Sequence, residues 1–178
     1  ILPDPPETWQ SSKAGINERC HYCGNADVRD AASVQRAFDF AKETCGAYPR
    51  VVVCNAGILF PTRFLDITLD EWQKTMRVNA DGVFLSMQTG VRCMLQDRAA
   101  ALAAAIGGSG GGGEGGGDAD AVAAAAADDD KWFGRVVTIS SSAGRSVSTL
   151  GGAHYTASKA AVLGLTRAAA KELGDRNI

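Results

Sequence analysis

Two short runs of β-branched residues constrain this chain most: Arg50-Val51-Val52-Val53-Cys54 and Arg135-Val136-Val137-Thr138-Ile139. Neither alternates apolar with polar residues, so neither reads as a strand with one wet face. A short continuous apolar run fits a buried parallel strand. Parallel strands need crossover connections, and the flanking segments carry helical periodicity. Val34, Ala37, Phe38, Ala41 and Cys45 fall on one face of a helix that Asp30 opens and Gly46 closes. Thr68-Leu69-Asp70-Glu71 has the pattern of a capping box. It opens a long helix through Trp72, Met76, Val83, Phe84 and Met87 to about Gln96. A short strand is read at residues 19–26, and a last helix from about Tyr155 to Leu173-Gly174. Strand, helix, strand, helix, strand, helix predicts an α/β fold: a three-layer, doubly wound parallel sheet with right-handed crossovers.

In such sheets ligands bind where the carboxyl ends of the strands open a crevice. Asp27 follows the first strand, Asn55-Ala56-Gly57 the second, and Ser140-Ser141-Ser142 the third. All three segments therefore belong to one edge of the sheet.

Two regions stand outside this order. Residues 1–18 are polar, carry Pro3, Pro5 and Pro6, and give no periodic signal. Residues 99–130 hold an alanine-rich stretch, nine glycines among residues 107–117, a second alanine run at 123–127 and Asp128-Asp129-Asp130. A phosphate cradle would need spaced glycines between a strand and a helix, and neither is present. A flexible insertion in one domain spanning residues 19–178 is expected.

The remaining composition narrows the partners. A net charge of -2 gives no basic surface for nucleic acid or an anionic membrane. No apolar run approaches the ~20 residues of a membrane span. The cysteines (Cys20, Cys23, Cys45, Cys54, Cys93) are odd in number and irregularly spaced, which argues for a reduced, cytoplasmic protein. Cys20-His21-Tyr22-Cys23 lacks the second ligand pair that a zinc site needs, so no metal is expected and the cysteines read as strand-borne.

Chemistry concentrates near the end of the chain. In Tyr155-Thr156-Ala157-Ser158-Lys159 a phenol and an ammonium stand at i and i+4, on one helix face. A free phenol titrates near ~10 and transfers protons poorly at neutral pH, and an adjacent ammonium favours its ionised form. A serine hydroxyl at a strand end can hydrogen-bond a substrate carbonyl. Asn79, in Val78-Asn79-Ala80-Asp81-Gly82, weakens the long helix. A local break there would free backbone groups to hold water.

Taken in order, five pieces of the chain resemble the short-chain dehydrogenase/reductase family. They are Asp27-Val28, Asn55-Ala56-Gly57, Asn79, Ile139-Ser140-Ser141-Ser142-Ala143-Gly144 and Tyr155-Thr156-Ala157-Ser158-Lys159. The resemblance covers roughly residues 19–98 and 131–178. It implies a Rossmann-like fold, NAD or NADP as cofactor, and interconversion of a carbonyl and a secondary alcohol. It further implies that Tyr155 handles the proton and that Lys159 supports it and binds the nicotinamide ribose. Asn79 would hold a water in a relay to Lys159, Asp27 and Val28 would contact the adenine, and Asn55, Ala56 and Gly57 would line the cleft. The orienting serine is Ser141 when counted from the strand and Ser142 when counted back from Tyr155. Ser141 is preferred, because loop length varies more than the strand end.

The family's glycine-rich pyrophosphate turn would precede residue 19, and a further strand and substrate lid would follow Ile178. The expectation is a domain truncated at both ends and weak in cofactor binding or inactive alone. A non-catalytic nucleotide-binding or scaffolding homologue is the alternative, but such proteins usually lose the tyrosine or lysine. The apolar loop at residues 58–66 (Ile58, Leu59, Phe60, Phe64, Leu65) favours an apolar or acyl substrate over a sugar; the resemblance makes a 3-oxoacyl group the default, with a polyol or a steroid open. Val162, Leu163, Leu165, Ala168, Ala169 and Ala170 cover more than one helical face. With the resemblance, this implies a homodimer or homotetramer built on the helices beginning near Leu69 and Tyr155.

Overall fold

The structure, a computed structural model, describes residues 23–107 and 133–178. Helix α1 (Ala31–Cys45) begins where Asp30 accepts from the Ala32 and Ser33 amides at 3.3 and 3.0 Å. It ends at Gly46, whose φ of 81° is the left-handed conformation that glycine adopts without steric cost, and whose amide donates to the Lys42 carbonyl. Strand β1 (Val51–Cys54) follows. Helix α2 (Leu69–Met76) starts at Thr68, whose hydroxyl accepts from the Glu71 amide at 3.2 Å. Only this half of the expected capping box forms, because the Glu71 carboxylate turns instead towards His154.

The break expected at Asn79 is a π-helical turn, Arg77–Asp81, after which α3 runs from Gly82 to Gly107. The helix therefore passes the predicted end at Gln96 and enters the segment assigned to the insertion. Alanine is the best helix former, and the alanine-rich stretch simply prolongs α3. The rest of the predicted insertion, with its glycine run, lies outside the described residues.

Strand β2 (Arg135–Thr138) pairs parallel with β1 in the register Val51↔Arg135 to Cys54↔Thr138. Helix α4 (Ala153–Leu173) follows a short 3₁₀ turn at Ser142–Gly144. The core is Val52, Cys54, Val83, Met87, Met94 and Val162, with Phe38, Phe133, Val136, Leu165 and Ala169 packed against it. Thus α1, α3 and α4 each present an apolar stripe to one face of the sheet. Fully burying a side chain such as Met94 or Val162 contributes about 1.5–3 kcal/mol. The other face is different: Val51, Val53, Val137 and Ile139 are exposed. Both-face burial read from the β-branched runs therefore holds for one face among the described residues.

Two further expectations change. Cys23 to Ala26, the described part of the strand read at 19–26, form a turn: Asn25 takes φ 60° beside Gly24, and a left-handed residue cannot continue a strand. Cys23 is thus not strand-borne, and Cys20 and His21 lie outside the described residues. Leu165 and Ala169 face the core of their own chain, whereas Ala168 and Ala170 are exposed. Leu165 and Ala169 therefore cannot form the outward face read for an interface.

Candidate functional site

The carboxyl end of β1 leads into Asn55-Ala56-Gly57, and that of β2 into Ile139 and the three serines. Parallel register brings these ends side by side, with the Ile139 amide donating to the Cys54 carbonyl at 3.1 Å. Lys159 reaches the same point from the second turn of α4. Its ammonium is buried and donates to the Ile139 carbonyl at 2.8 Å. It lies 5.8 Å from the centroid of the Tyr155 ring, near the outer limit of a cation–π contact. Burial pushes the Lys159 ammonium below its ordinary value, because desolvation disfavours the charged form.

Asn79 is fully buried at the π turn. Its Oδ1 accepts from the Ile58 amide at 2.7 Å, while Nδ2 donates to the Ile58 carbonyl at 2.9 Å and to Ser158 Oγ at 3.0 Å. The side chain thus clamps the loop after β1 to α4. A Cβ built on Gly57 would stand 3.4 Å from Asn79 Oδ1 and 3.5 Å from Lys159 Nζ. So Gly57, Asn79, Tyr155 and Lys159, far apart in sequence, converge on one spot.

Replacing Asn79 with Ala is expected to cost about 3 kcal/mol, since the buried Ile58 amide, its carbonyl and Ser158 would each lose a partner. Urea unfolding measures this. A loss below about 1 kcal/mol would mean that water replaces the amide.

The serines divide their work. Ser140 Oγ donates to the Lys159 carbonyl at 2.8 Å, tying β2 to α4. Ser141 Oγ accepts from the Ala143 amide at 3.2 Å and caps the 3₁₀ turn. That bond leaves the Ser141 hydroxyl its proton to donate. Ser142 is exposed. Residues 58–66 cross beside the start of α4, where the Gly152 amide donates to the Phe60 carbonyl at 2.9 Å.

A cleft of about 130 Å³ opens next to β1, lined by Val28, Cys54, Asn55, Ala56, Gly82 and Ser86. Asn55 and Ala56, expected at the cofactor cleft, and Val28, expected at the adenine, line it; Gly57 and Asp27 do not. Gly82 and Ser86 were not expected there, because nothing in a helical sequence marks which positions line a cleft. Asp27 lies apart from the Tyr155 cluster. The Arg29 guanidinium grips its carboxylate at 2.7–3.1 Å and holds it down at about 2. Ser158 and Ser140 stand in the motifs, but their bonds to Asn79 and to the Lys159 carbonyl are not legible in them. Ser158 stands inside the tyrosine–lysine motif, but its burial is a tertiary fact.

A parallel, helix-covered sheet with a cleft at its strand ends and a tyrosine–lysine helix beside it defines a Rossmann-like α/β protein. The comparisons with known proteins are specific. A family pattern described as "Enoyl-(Acyl carrier protein) reductase" matches residues 6–128, and one described as "short chain dehydrogenase" matches residues 119–178. The chain belongs to the short-chain dehydrogenase/reductase family.

A (3R)-3-hydroxyacyl-CoA dehydrogenase from Canis lupus familiaris is 31% identical over 89% of this chain and 48% of its own length. A 3-oxoacyl-(acyl-carrier-protein) reductase from Synechocystis is 29% identical over 86% of this chain and 47% of its own. A short-chain type dehydrogenase/reductase from Mycobacterium marinum, solved by crystallography, superposes with a TM-score of 0.63 at 28% identity, covering 86% of this chain and 49% of that one. The chain spans about half the length of the curated relatives it matches.

Proposed function

We propose that the protein is an NAD- or NADP-dependent oxidoreductase that interconverts a carbonyl and a secondary alcohol. The observation that carries this reading is the convergence of Tyr155, Lys159, Asn79 and Gly57 at the carboxyl ends of two parallel strands. The residues present fit a nicotinamide nucleotide: the lack of a Cβ at Gly57 leaves the space before the Lys159 ammonium open, and Val28, Asn55 and Ala56 line an adjoining cleft. When bound, the cofactor supplies the hydride.

The chain's own residues handle the proton and the orientation. Tyr155 donates its hydroxyl proton to the carbonyl oxygen in reduction and takes it back in oxidation. The Lys159 ammonium stabilises the negative charge that develops on the phenol oxygen as the proton leaves, and its remaining N–H groups serve the ribose. Ser141 donates to the same carbonyl oxygen. The Asn79 side chain is consumed by Ile58 and Ser158, so a water in a relay to Lys159 would be held by main-chain groups at the π turn.

The mouth of the site favours an acyl substrate. Leu59, Phe64 and Leu65 on one loop and Val147 and Leu150 on another are exposed and apolar. Two of the relatives described are named for hydroxyacyl-CoA and oxoacyl carriers. We therefore take a 3-oxoacyl thioester as the substrate class. Consumption of reduced nicotinamide in the presence of a short 3-oxoacyl thioester tests it. Ser141→Ala is expected to lower the rate about 100-fold, the scale of one oxyanion donor, and Ser142→Ala less than about threefold. The reverse order would assign the role to Ser142, and no turnover by the full-length protein would sink the reading.

The same proposal extends to assembly as a homodimer or homotetramer. The exposed Ala168 on α4 and the exposed Phe84 on α3 offer outward surface for helix packing. Ala168→Glu is expected to reduce the mass seen by light scattering to that of one chain. A monomeric parent at micromolar concentration refutes the assembly.

A further inference from the structure

Next to Tyr155, on the side away from Lys159 in sequence, stands a histidine that the proposed chemistry does not use. His154 is fully buried in the first turn of α4. Its Nε2 lies 3.1 Å from Glu71 Oε1, without the alignment of a hydrogen bond, and neither ring nitrogen has another partner. Glu71 Oε1 is equally buried and unpartnered. The Phe60 ring stacks on the imidazole, 6.2 Å between centroids and 12° from parallel, and the Lys74 ammonium sits 5.5 Å from that phenyl centroid.

Gly152 is wedged into the same place. A Cβ there would meet the His154 ring and the Thr62 carbonyl, both at 2.6 Å. One imidazole therefore touches three elements at once: α2 through Glu71, the loop at residues 58–66 through Phe60, and the first turn of α4 that carries Tyr155. An inert filler would be apolar. A buried imidazole facing a carboxylate oxygen that is itself out of solvent is costly to desolvate unless the two act as a pair.

We propose that His154 is a positioning residue: paired with Glu71, it holds the Phe60 loop against the Tyr155 turn and so sets the shape of the acyl side of the substrate pocket. This rests on the oxidoreductase reading for its kinetic consequence, though not for its structural one. The imidazole side governs where the substrate chain lies, and Lys159 with Gly57 governs the cofactor side. Disturbing His154 therefore acts on substrate binding and leaves nucleotide binding alone.

The experiment compares His154→Leu, His154→Gln, Glu71→Leu and the double Leu variant by steady-state kinetics, nicotinamide titration and amide exchange. His154→Leu is expected to raise KM for a 3-oxoacyl thioester about tenfold with cofactor affinity and kcat nearly unchanged. His154→Gln, which keeps a donor near the position of Nε2, is expected to restore KM to within about threefold. The double variant is expected to be no worse than either single one, as for residues acting as a pair. Amides of residues 58–66 and of Gly152 are expected to exchange about tenfold faster in His154→Leu.

Additive effects in the double variant, a cofactor affinity that moves as far as KM, or unchanged exchange in the loop would each overturn the proposal. If the Leu variants do not fold, His154→Gln and Glu71→Gln carry the same comparison. A full-length protein without turnover refutes the oxidoreductase reading, and the exchange and double-variant stability measurements still decide whether His154 holds the loop.

Discussion

Tyr155→Phe is expected to lower carbonyl reduction by about 10²–10⁴-fold, the range a positioned general acid contributes. The phenyl ring fills the same space, so the ammonium of Lys159, 5.8 Å from the ring centroid, keeps its neighbour. Nicotinamide affinity, read by fluorescence titration, is expected to stay within about twofold, because only the hydroxyl is removed and no other part of the cleft shifts. Activity within a few-fold of the parent would remove Tyr155 from the chemistry. A large loss of cofactor affinity would mean that the hydroxyl serves binding and not proton transfer.

Lys159→Met is expected to do what Tyr155→Phe does not: lower both turnover and cofactor affinity, each by about tenfold or more, since in the proposed mechanism one ammonium serves phenol and ribose. Its effect on stability has the opposite sense. Burial holds the folded-state value of Lys159 below the ordinary 10.5, so the unfolded chain binds the proton more tightly. Below the folded value, both states are charged and the cost of burying the ammonium is present in full. Between that value and 10.5 the unfolded state carries more protons, and stability rises with pH. The methionine variant lacks this contribution. At neutral pH it is expected to melt no lower than the parent, and the parent is expected to gain on it as the pH is raised. A melting temperature more than about 5 °C below the parent at neutral pH would show that the bond to the Ile139 carbonyl outweighs the buried charge.

What could be read from the sequence was local. The N-cap Asp30, the C-cap Gly46 and the Thr68 start are decided by side chains within four residues of the helix end, and all three hold. The break at Asn79 was legible because poor helix formers sit together there. The tyrosine–lysine pair was legible because a helix fixes the spacing of i and i+4. The failures are tertiary. Nothing near Glu71 says that its carboxylate leaves the cap for a histidine more than a domain layer away in sequence, or that His154 and Ser158 are buried while Ala157 and Ala160 beside them are less so. At Cys23 to Ala26 the strand expected over residues 19–26 gives way to a turn, because Asn25 takes a left-handed φ. The partners of the Asn79 side chain are equally invisible in sequence, because only folding brings Ile58 and Ser158 to it.

The register of the two strands also governs the order in which the molecule can assemble. Val51 pairs with Arg135, so the sheet cannot zip until all the chain between them has been looped out, and topologies dominated by such distant pairings fold slowly. The π turn, by contrast, joins α2 to α3 through neighbouring contacts. That α2–α3 unit is therefore expected to form ahead of the β1–β2 seam. Tyr155, Lys159 and the serines meet Asn55 and Gly57 only when that seam closes. A ligand seated across both strand ends binds the completed seam and not its precursors. It would act as a folding ligand, drawing the last step forward by mass action.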